Sequence, residues 1–261
     1  MSQTVGNEET FVNASDRNDD VNLAGLRIVI TGGTSGLGLA LVHAWHARGA
    51  RVAFVARTPE RVAHITKELP GVAGIVGDVS RKDEIHPIAL QALGALGGVD
   101  VLVNSASSLG PVPLALLGDT ECEDVERALA ANLLGPFRLT KALLGALRAS
   151  ATDGRGGVVL NVSSDAASTP YPGWGAYGAS KAALAHMSAI WNLELETEGV
   201  RILSLDPGDM DTPLHALAVP DADRSTLRRP EDAARDVTDA IVAALRRSAR
   251  DRNPEREALV R

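Results

Sequence analysis

Tyr177 and Lys181 stand four residues apart in Ala176-Tyr177-Gly178-Ala179-Ser180-Lys181, so on a helix they share one face. A free tyrosine, with a pKa of about 10, is a poor base at neutral pH, and a nearby ammonium favours its phenolate. An acid/base group works best with its pKa near the operating pH, so a lysine at this spacing meets a chemical need. Upstream, Ser163-Ser164 follows an apolar run, and the Ser164 hydroxyl could polarise a carbonyl and stabilise the oxyanion that develops on it. A Tyr-x-x-x-Lys pair by itself is usually a surface helix pair. Here it follows a phosphate-type loop and several further strands, and that context points to catalysis.

The loop is Thr31-Gly32-Gly33-Thr34-Ser35-Gly36-Leu37-Gly38, lying between an apolar strand and an apolar helix. Glycine lets an anion approach the main chain, and the amides of the following helix N-terminus face that anion. Gly32, Thr34, Ser35, Gly36, Leu37 and Gly38 are therefore assigned to a dinucleotide, with Thr34 or Ser35 able to add a hydroxyl. A NAD-type site places an acid at the end of the second strand, on the ribose 2′-hydroxyl. That end reads Val55-Ala56-Arg57-Thr58, with no acid before Glu60. The planar fork of Arg57 suits a 2′-phosphate, so NADP(H) is expected over NAD(H); the alternative is a solvated surface arginine. Asp78, in Gly77-Asp78-Val79, either accepts from adenine or caps the helix that follows, and Val79 goes with it to the cofactor edge. Asn104 either braces the cofactor loop or pairs backbone groups locally, and Ala106 lies beside it.

These groups need a frame that gathers them. Strand candidates are Arg27 to Thr31, Arg51 to Ala56, Val72 to Val76, Val101 to Asn104, Val158 to Val162 and Arg201 to Leu205. They are continuously apolar, as strands covered on both faces are, and the segments between them are long enough for crossover helices. The expected fold is therefore a single α/β domain over residues 23–250: a Rossmann-type, doubly wound parallel sheet of six to seven strands with helices on both faces. Each motif falls at the carboxyl end of a strand, where such sheets bind ligands. Local signals predict helix starts at Thr58-Pro59, at a capping box of Thr120 and Glu123, and at Arg229-Pro230-Glu231-Asp232. Pro87 predicts a late start or a kink in the third helix.

The bulk properties agree. Of the 261 residues 45% are hydrophobic but only 3% aromatic, so the core is expected to be Ala, Val, Leu and Ile. The net charge of −7 argues against a nucleic-acid partner. No stretch approaches the roughly 20 apolar residues of a membrane helix. Cys122 is the lone cysteine and reads as a spectator thiol in a reducing, cytoplasmic compartment. Residues 1–22 read as a disordered acidic leader. No metal site is assigned, and the two glycosylation-type sequons, at Asn13 and Asn161, read as chance.

With these motifs in place, residues 23 to 250 resemble the standard-length branch of the short-chain dehydrogenase/reductase family. Thr31 to Gly38 match its TGxxxGxG loop, and Tyr177-x-x-x-Lys181 matches its catalytic pair. The resemblance implies that Tyr177 is the proton donor or acceptor, that Lys181 tunes it and holds the nicotinamide ribose, and that Ser164 orients the substrate oxygen. It implies that Asn132, in Ala131-Asn132-Leu133-Leu134, supports a proton-relay water. It also implies that Asp206-Pro207-Gly208-Asp209-Met210-Asp211-Thr212 is the cofactor segment in which Pro207, Gly208, Met210 and Thr212 lie against the carboxamide side. Two departures stand out. The family's NNAG reads Asn104-Ser105-Ala106-Ser107, with serine for the second asparagine and for the glycine. The tail 251–261 lacks the family's glycine-rich end, so Ala258 to Val260 form a short edge strand at most, and a homodimer is expected in preference to a tetramer.

The expected substrate pocket is walled by Ser107 to Leu117, Asp165 to Trp174 and Met210 to Leu227, with Leu109, Tyr171, Trp174 and Leu214 as apolar surface. Asp165 and His215 are the nearest polar anchors, although each reads more readily as a loop or core residue. Together these features predict an NADP(H)-dependent oxidoreductase that reduces a small apolar ketone to a secondary alcohol, or the reverse. The alternatives are an NAD-dependent alcohol dehydrogenase of the same family and a non-catalytic cofactor-binding regulatory protein.

Overall fold

The structure is a computed structural model that describes residues 23–250. The acidic leader and the possible seventh strand lie outside the described residues. Six strands, β1 (Arg27–Thr31), β2 (Arg51–Ala56), β3 (Ala73–Val76), β4 (Val101–Asn104), β5 (Val158–Val162) and β6 (Arg201–Leu205), form one all-parallel sheet in the order β3-β2-β1-β4-β5-β6. The sheet is the expected doubly wound one. Only β3 differs, beginning one residue late because the Val72 amide turns back to the Leu69 carbonyl.

Alternate strand residues reach opposite faces, and both faces are covered. Ile28, Ile30, Val52, Phe54, Val101, Val103, Val158 and Leu160 pack on one side against α1 (Gly36–Ala47), α2 (Pro59–Glu68) and α8 (Pro230–Arg250). Val29, Ala53, Val55, Ile75, Leu102 and Val159 pack on the other against α3 (Ile85–Leu96) and α5 (Gly135–Thr152). This two-sided burial is why the strand sequences do not alternate. Alanines fill the helix–sheet interfaces, among them Ala89, Ala92, Ala151, Ala233 and Ala244. α6 (Gly175–Leu195) carries the Tyr177 segment, and α7 (Pro213–Ala218) follows β6.

The helix starts follow the expectations with one correction. α2 opens on Pro59 after Thr58 and α8 on Pro230, and α3 begins at Ile85, late enough for Pro87 to sit in its first turn. The capping box of Thr120 and Glu123 does not form. α4 (Cys122–Leu129) starts after Glu121, and the Thr120 hydroxyl instead donates to the Leu116 carbonyl at 2.9 Å. That bond closes the preceding 3-10 turn and leaves Thr120 unable to reach the helix amides.

β1 and β4 are neighbours although far apart in sequence, with Thr31 paired to Asn104 at their carboxyl ends. Strand order reverses there, the point at which sheets of this kind bind ligands. At the opposite end the buried Asp100 carboxylate takes the Arg27 guanidinium at 2.6 Å and the Ser150 hydroxyl at 2.6 Å, which ties β1, β4 and α5 together.

Candidate active site

The glycine loop between β1 and α1 is held by contacts that leave no room for side chains. A Cβ on Gly38 would lie 2.3 Å from the Gly32 carbonyl oxygen, and Gly36 has φ +51. Ser35 stands at the N-cap of α1 in extended conformation without donating or accepting a capping bond through its side chain. The first-turn amides of α1 therefore have no side-chain cap, and the backbone lies bare around them. This is a cradle that fits a pyrophosphate. The Thr31 hydroxyl accepts from both Ser105 N and Ala106 N, each at 3.0 Å, and so draws the loop after β4 against the glycine loop. A Cβ on Gly36 would meet the Thr212 methyl at 3.0 Å, so Thr212 closes the same cradle from the segment after β6. That segment is fixed by Arg228, which donates to the Pro207 carbonyl at 2.8 Å, and by the Asp206 carboxylate, which accepts from Gly208 N at 2.9 Å.

Arg57 follows the carboxyl end of β2 on this same edge of the sheet. It is exposed, and its guanidinium makes no ion pair or side-chain hydrogen bond among the described residues. Four other residues expected at the cofactor, Asn104, Asp78, Val79 and Met210, have side chains engaged within the protein. Asn104 is buried and donates to Asn161 at 2.8 Å, so its side chain braces β4 against β5, and Thr31 is the residue that binds the loop. Asp78 does not cap α3. Its carboxylate accepts from Ser80 N at 2.9 Å and the Ser80 hydroxyl at 2.7 Å in a local turn. The Val79 side chain is packed in the core, as Met210 partly is.

The second half of the site rests on α6. Tyr177 and Lys181 share its inner face, with the Lys181 ammonium 5.5 Å from the Tyr177 ring centre. Lys181 is 2% exposed and donates to the Val162 carbonyl at 2.7 Å, at the end of β5. Burial pushes its pKa down to about 8, against the opposing pull of Asp206. The expectation that the Lys181 ammonium lowers Tyr177 is corrected. Burial raises the phenol above its ordinary value, Asp206 and Asp165 add to the rise, and the Ser164 and Ser107 hydroxyls pull it the other way. A buried site disfavours both charged forms, so the pair rests closer to neutral phenol and weakened ammonium than to phenolate and full cation.

Asn132 lies in a π-helical turn, Ala130–Leu134, between α4 and α5. This turn widens the helix where its side chain points inward. The amide is 1% exposed and fully engaged. Its oxygen accepts from Ser108 N at 2.8 Å and the Ser107 hydroxyl at 3.1 Å, and its nitrogen donates to the Ser108 carbonyl and the Ser180 hydroxyl, both at 2.8 Å. The Ser180 hydroxyl in turn donates to the Tyr177 carbonyl at 2.6 Å. Asn132 thus fastens the loop after β4 to the helix that bears Tyr177. Ser180 joins the site although no motif marks it, whereas Thr31, Asp206 and Ser107 lie in the glycine loop, the 206–212 segment and the pocket wall that the sequence marks, without a role of their own there. Of these, Ser107 carried a signal, as a serine in place of the family's glycine.

On the substrate side, Leu109, Trp174, Leu214 and Tyr177 form one apolar cluster with Leu114 and Ala218, and the Trp174 ring stands edge-on to Tyr177 at 5.7 Å. Tyr171 is not part of this wall. It is 43% exposed and donates to the Asp165 carboxylate at 2.8 Å, while Asp165 also accepts the Ser164 hydroxyl at 3.0 Å. Asp165 and Tyr171 therefore form a polar rim beside Ser164, and Ser164 O–H is turned toward that rim. His215 is half-buried on α7 next to Leu214.

This arrangement has clear counterparts among known proteins. The chain is 32% identical over 187 residues to carbonyl reductase [NADPH] 2 of Sus scrofa, covering 72% of each. It is 30% identical over 206 residues to L-xylulose reductase of Bos taurus, covering 79% of this chain and 80% of that protein. The crystal structure of 3-ketoacyl-(acyl-carrier-protein) reductase from Brucella melitensis complexed with NADH superposes with a TM-score of 0.78 at 26% identity, covering 84% of this chain and 91% of that one. The family model described as short chain dehydrogenase matches residues 27–223. With the glycine cradle, the Tyr177–Lys181 pair and the doubly wound sheet that joins them, the chain belongs to the short-chain dehydrogenase/reductase family of oxidoreductases.

Proposed function

We propose that this protein is an NADP(H)-dependent ketoreductase in which Tyr177 hands a proton to the substrate oxygen. The observation that carries the reading is the placement of Tyr177: a buried phenol in one apolar cluster with Leu109, Trp174 and Leu214, with the Lys181 ammonium 5.5 Å from its ring centre. A protonated phenol is the form a general acid requires. A reduced nicotinamide, when bound, supplies the hydride. Ser164 rotates its hydroxyl from Asp165 to the substrate oxygen and stabilises the charge that develops there. Lys181, anchored on Val162, faces the phenol and favours the phenolate once the proton has left, and its ammonium would hold the nicotinamide ribose. Asn132 keeps the two halves of the site in register.

Three further assignments go with this. The free guanidinium of Arg57, with no acid at the end of β2, supports NADP(H) over NAD(H). Thr34, Ser35, Leu37, Asp78, Val79 and Ala106 serve the cofactor mainly through their backbone or local turns. The wall of Leu109, Trp174 and Leu214 supports an apolar cyclic or aryl ketone. We further read the chain as a cytoplasmic homodimer, joined through the exposed apolar residues Leu134, Ile190 and Leu193 on the α5 and α6 side.

The test is consumption of NADPH and of NADH by the purified protein over a panel of cyclic and aryl ketones, with Tyr177→Phe alongside. NADPH-dependent turnover that vanishes in the variant is expected. Preference for NADH refutes the role of Arg57, and cofactor binding without turnover of any ketone favours the regulatory reading.

A further inference from the structure

The short 3-10 turn Asp165–Ala167 after β5 puts two side-chain oxygens on one edge. Ser164 Oγ and Asp165 Oδ1 lie 3.0 Å apart, joined by the serine proton. One backbone amide fixes both, since Ala166 N is 3.2 Å from Ser164 Oγ and 2.7 Å from Asp165 Oδ1. The Tyr171 hydroxyl holds the other carboxylate oxygen at 2.8 Å. This edge lies against the acid/base wall. The Ala166 side chain shares the buried cluster of Leu109 and Tyr177, and a Cβ on Gly178 would meet the Ala166 carbonyl oxygen at 2.9 Å. Among the described residues no cation pairs with Asp165. Its charge is met by neutral donors, Tyr171 first and then Ser164 and Ala166, and they hold the carboxyl below its ordinary value.

Ser164 has one proton to give. Once that proton turns to a substrate carbonyl, Asp165 Oδ1 loses a donor and keeps Ala166 N. A substrate with a donor of its own for that oxygen restores what the rotation removes. The spacing fixes where the donor must be. A carbonyl oxygen on Ser164 and a hydroxyl on Asp165, side by side, rest on oxygens 3.0 Å apart, so they too lie about one hydrogen-bond length apart. An α-hydroxy ketone holds its two oxygens at that spacing across a single C–C bond. An ammonium needs several acceptors, whereas this edge offers one oxygen beside an apolar wall of Leu109, Trp174 and Leu214.

We propose that Asp165 is a specificity-determining residue and that the substrate is an apolar α-hydroxy ketone, whose carbonyl oxygen takes the Ser164 hydroxyl while its own hydroxyl donates to Asp165 Oδ1. The product of reduction is then a vicinal diol. The carbonyl carbon gains the hydride of the reduced nicotinamide and its oxygen gains the Tyr177 proton. The second hydroxyl keeps its proton throughout. The inference deepens the ketoreductase reading and rests on it for the carbonyl at Ser164.

α-Hydroxyacetophenone and propiophenone have the same shape and differ in a hydroxyl for a terminal methyl. Their dissociation constants are measured by equilibrium dialysis against the protein saturated with NADP+ or NAD+, in which no ketone can be reduced. The hydroxy ketone is expected to bind about tenfold more tightly, the order expected for one hydrogen bond to an ionised carboxylate open to solvent. Asp165→Ala is expected to bring the ratio below about twofold, and Asp165→Asn, which keeps an acceptor of the same shape without the charge, to leave it in between. Asp165 is exposed, so neither substitution opens the core. The ratio is the readout, so a general loss of affinity in a variant does not imitate the result. A parental ratio below about twofold overturns the proposal, as does a ratio that survives Asp165→Ala or a failure to bind either ketone. Initial rates with NADPH and NADH separate the two readings. An Asp165-dependent ratio without turnover refutes ketone reduction alone, whereas equal kcat/KM for the two ketones leaves ketone reduction standing and overturns the role of Asp165.

Discussion

Lys181 is the residue at which site chemistry most directly opposes stability, and the size of the conflict follows from its burial. The ordinary lysine value is 10.5, and in the fold it falls to about 8. At about 1.4 kcal/mol per unit, keeping the ammonium charged in the folded state costs about 3 kcal/mol. The sign follows from linkage. Between the folded and unfolded values the unfolded chain binds the extra proton, so this contribution to stability rises with pH from about 8 towards 10.5. The penalty is fully present below pH about 8. Lys181→Met has nearly the same length, removes the charge and leaves the Val162 carbonyl without its 2.7 Å partner, a loss of about 1–2 kcal/mol. The net expectation at pH 7 is a variant about 1–2 kcal/mol more stable than the parent, with Tm higher by about 2–6 °C for a domain of this size. By pH 10 the gain should be gone or reversed, because the parent has shed the penalty and the variant still lacks the hydrogen bond. The assay is urea denaturation of both proteins at the two pH values, followed by tryptophan fluorescence. A Lys181→Met protein that is less stable at pH 7, or whose advantage is the same at both pH values, refutes the picture of a buried ammonium held at a cost.

Three further outcomes are expected. Gly38→Ala forces a Cβ to within 2.3 Å of the Gly32 carbonyl, so the loop must shift and affinity for the reduced cofactor should fall at least about tenfold in a fluorescence titration; unchanged affinity would contradict the cradle. Asn132→Ala deletes four hydrogen bonds and leaves Ser108 groups unpaired, so the urea-derived stability should drop by about 2–4 kcal/mol, and a drop below about 0.5 kcal/mol would show that the clamp is dispensable. Burial pushes the Asp100 carboxyl up, but Arg27 and Ser150 outweigh it and hold the carboxyl below its ordinary value. Its contribution is therefore full above the unfolded value near 4 and is lost as pH falls through the lower folded value; Asp100→Asn should flatten the acid limb of the stability profile, and an unaltered limb would count against the pairing.

What could be read without the structure was whatever is written in local spacing. The six strands announced themselves because strands covered on both faces are mostly apolar along their length, and five of them have the expected bounds. Proline at a first helical turn and glycine where backbones touch are likewise local necessities, so the starts of α2 and α8 and the cradle were legible. Tyr177 and Lys181 were legible because a helix puts residues four apart on one face.

The tertiary structure decided everything that depends on which distant groups meet. Thr120 and Glu123 have capping-box spacing, yet the hydroxyl found the Leu116 carbonyl first. Asn104 was placed at the right strand end, but its partner is Asn161 on the next strand, which only the sheet order brings alongside. Asp78 closed its own turn, and Tyr171 left the apolar wall to bind Asp165. Most of all, the spacing of Tyr177 and Lys181 suggested an ammonium lowering a phenol, whereas the fold buries both and raises one while lowering the other. Spacing along a helix determines which side chains are neighbours. The solvent excluded around them, and the carboxylates and hydroxyls drawn in from three other segments, determine which of those neighbours is charged.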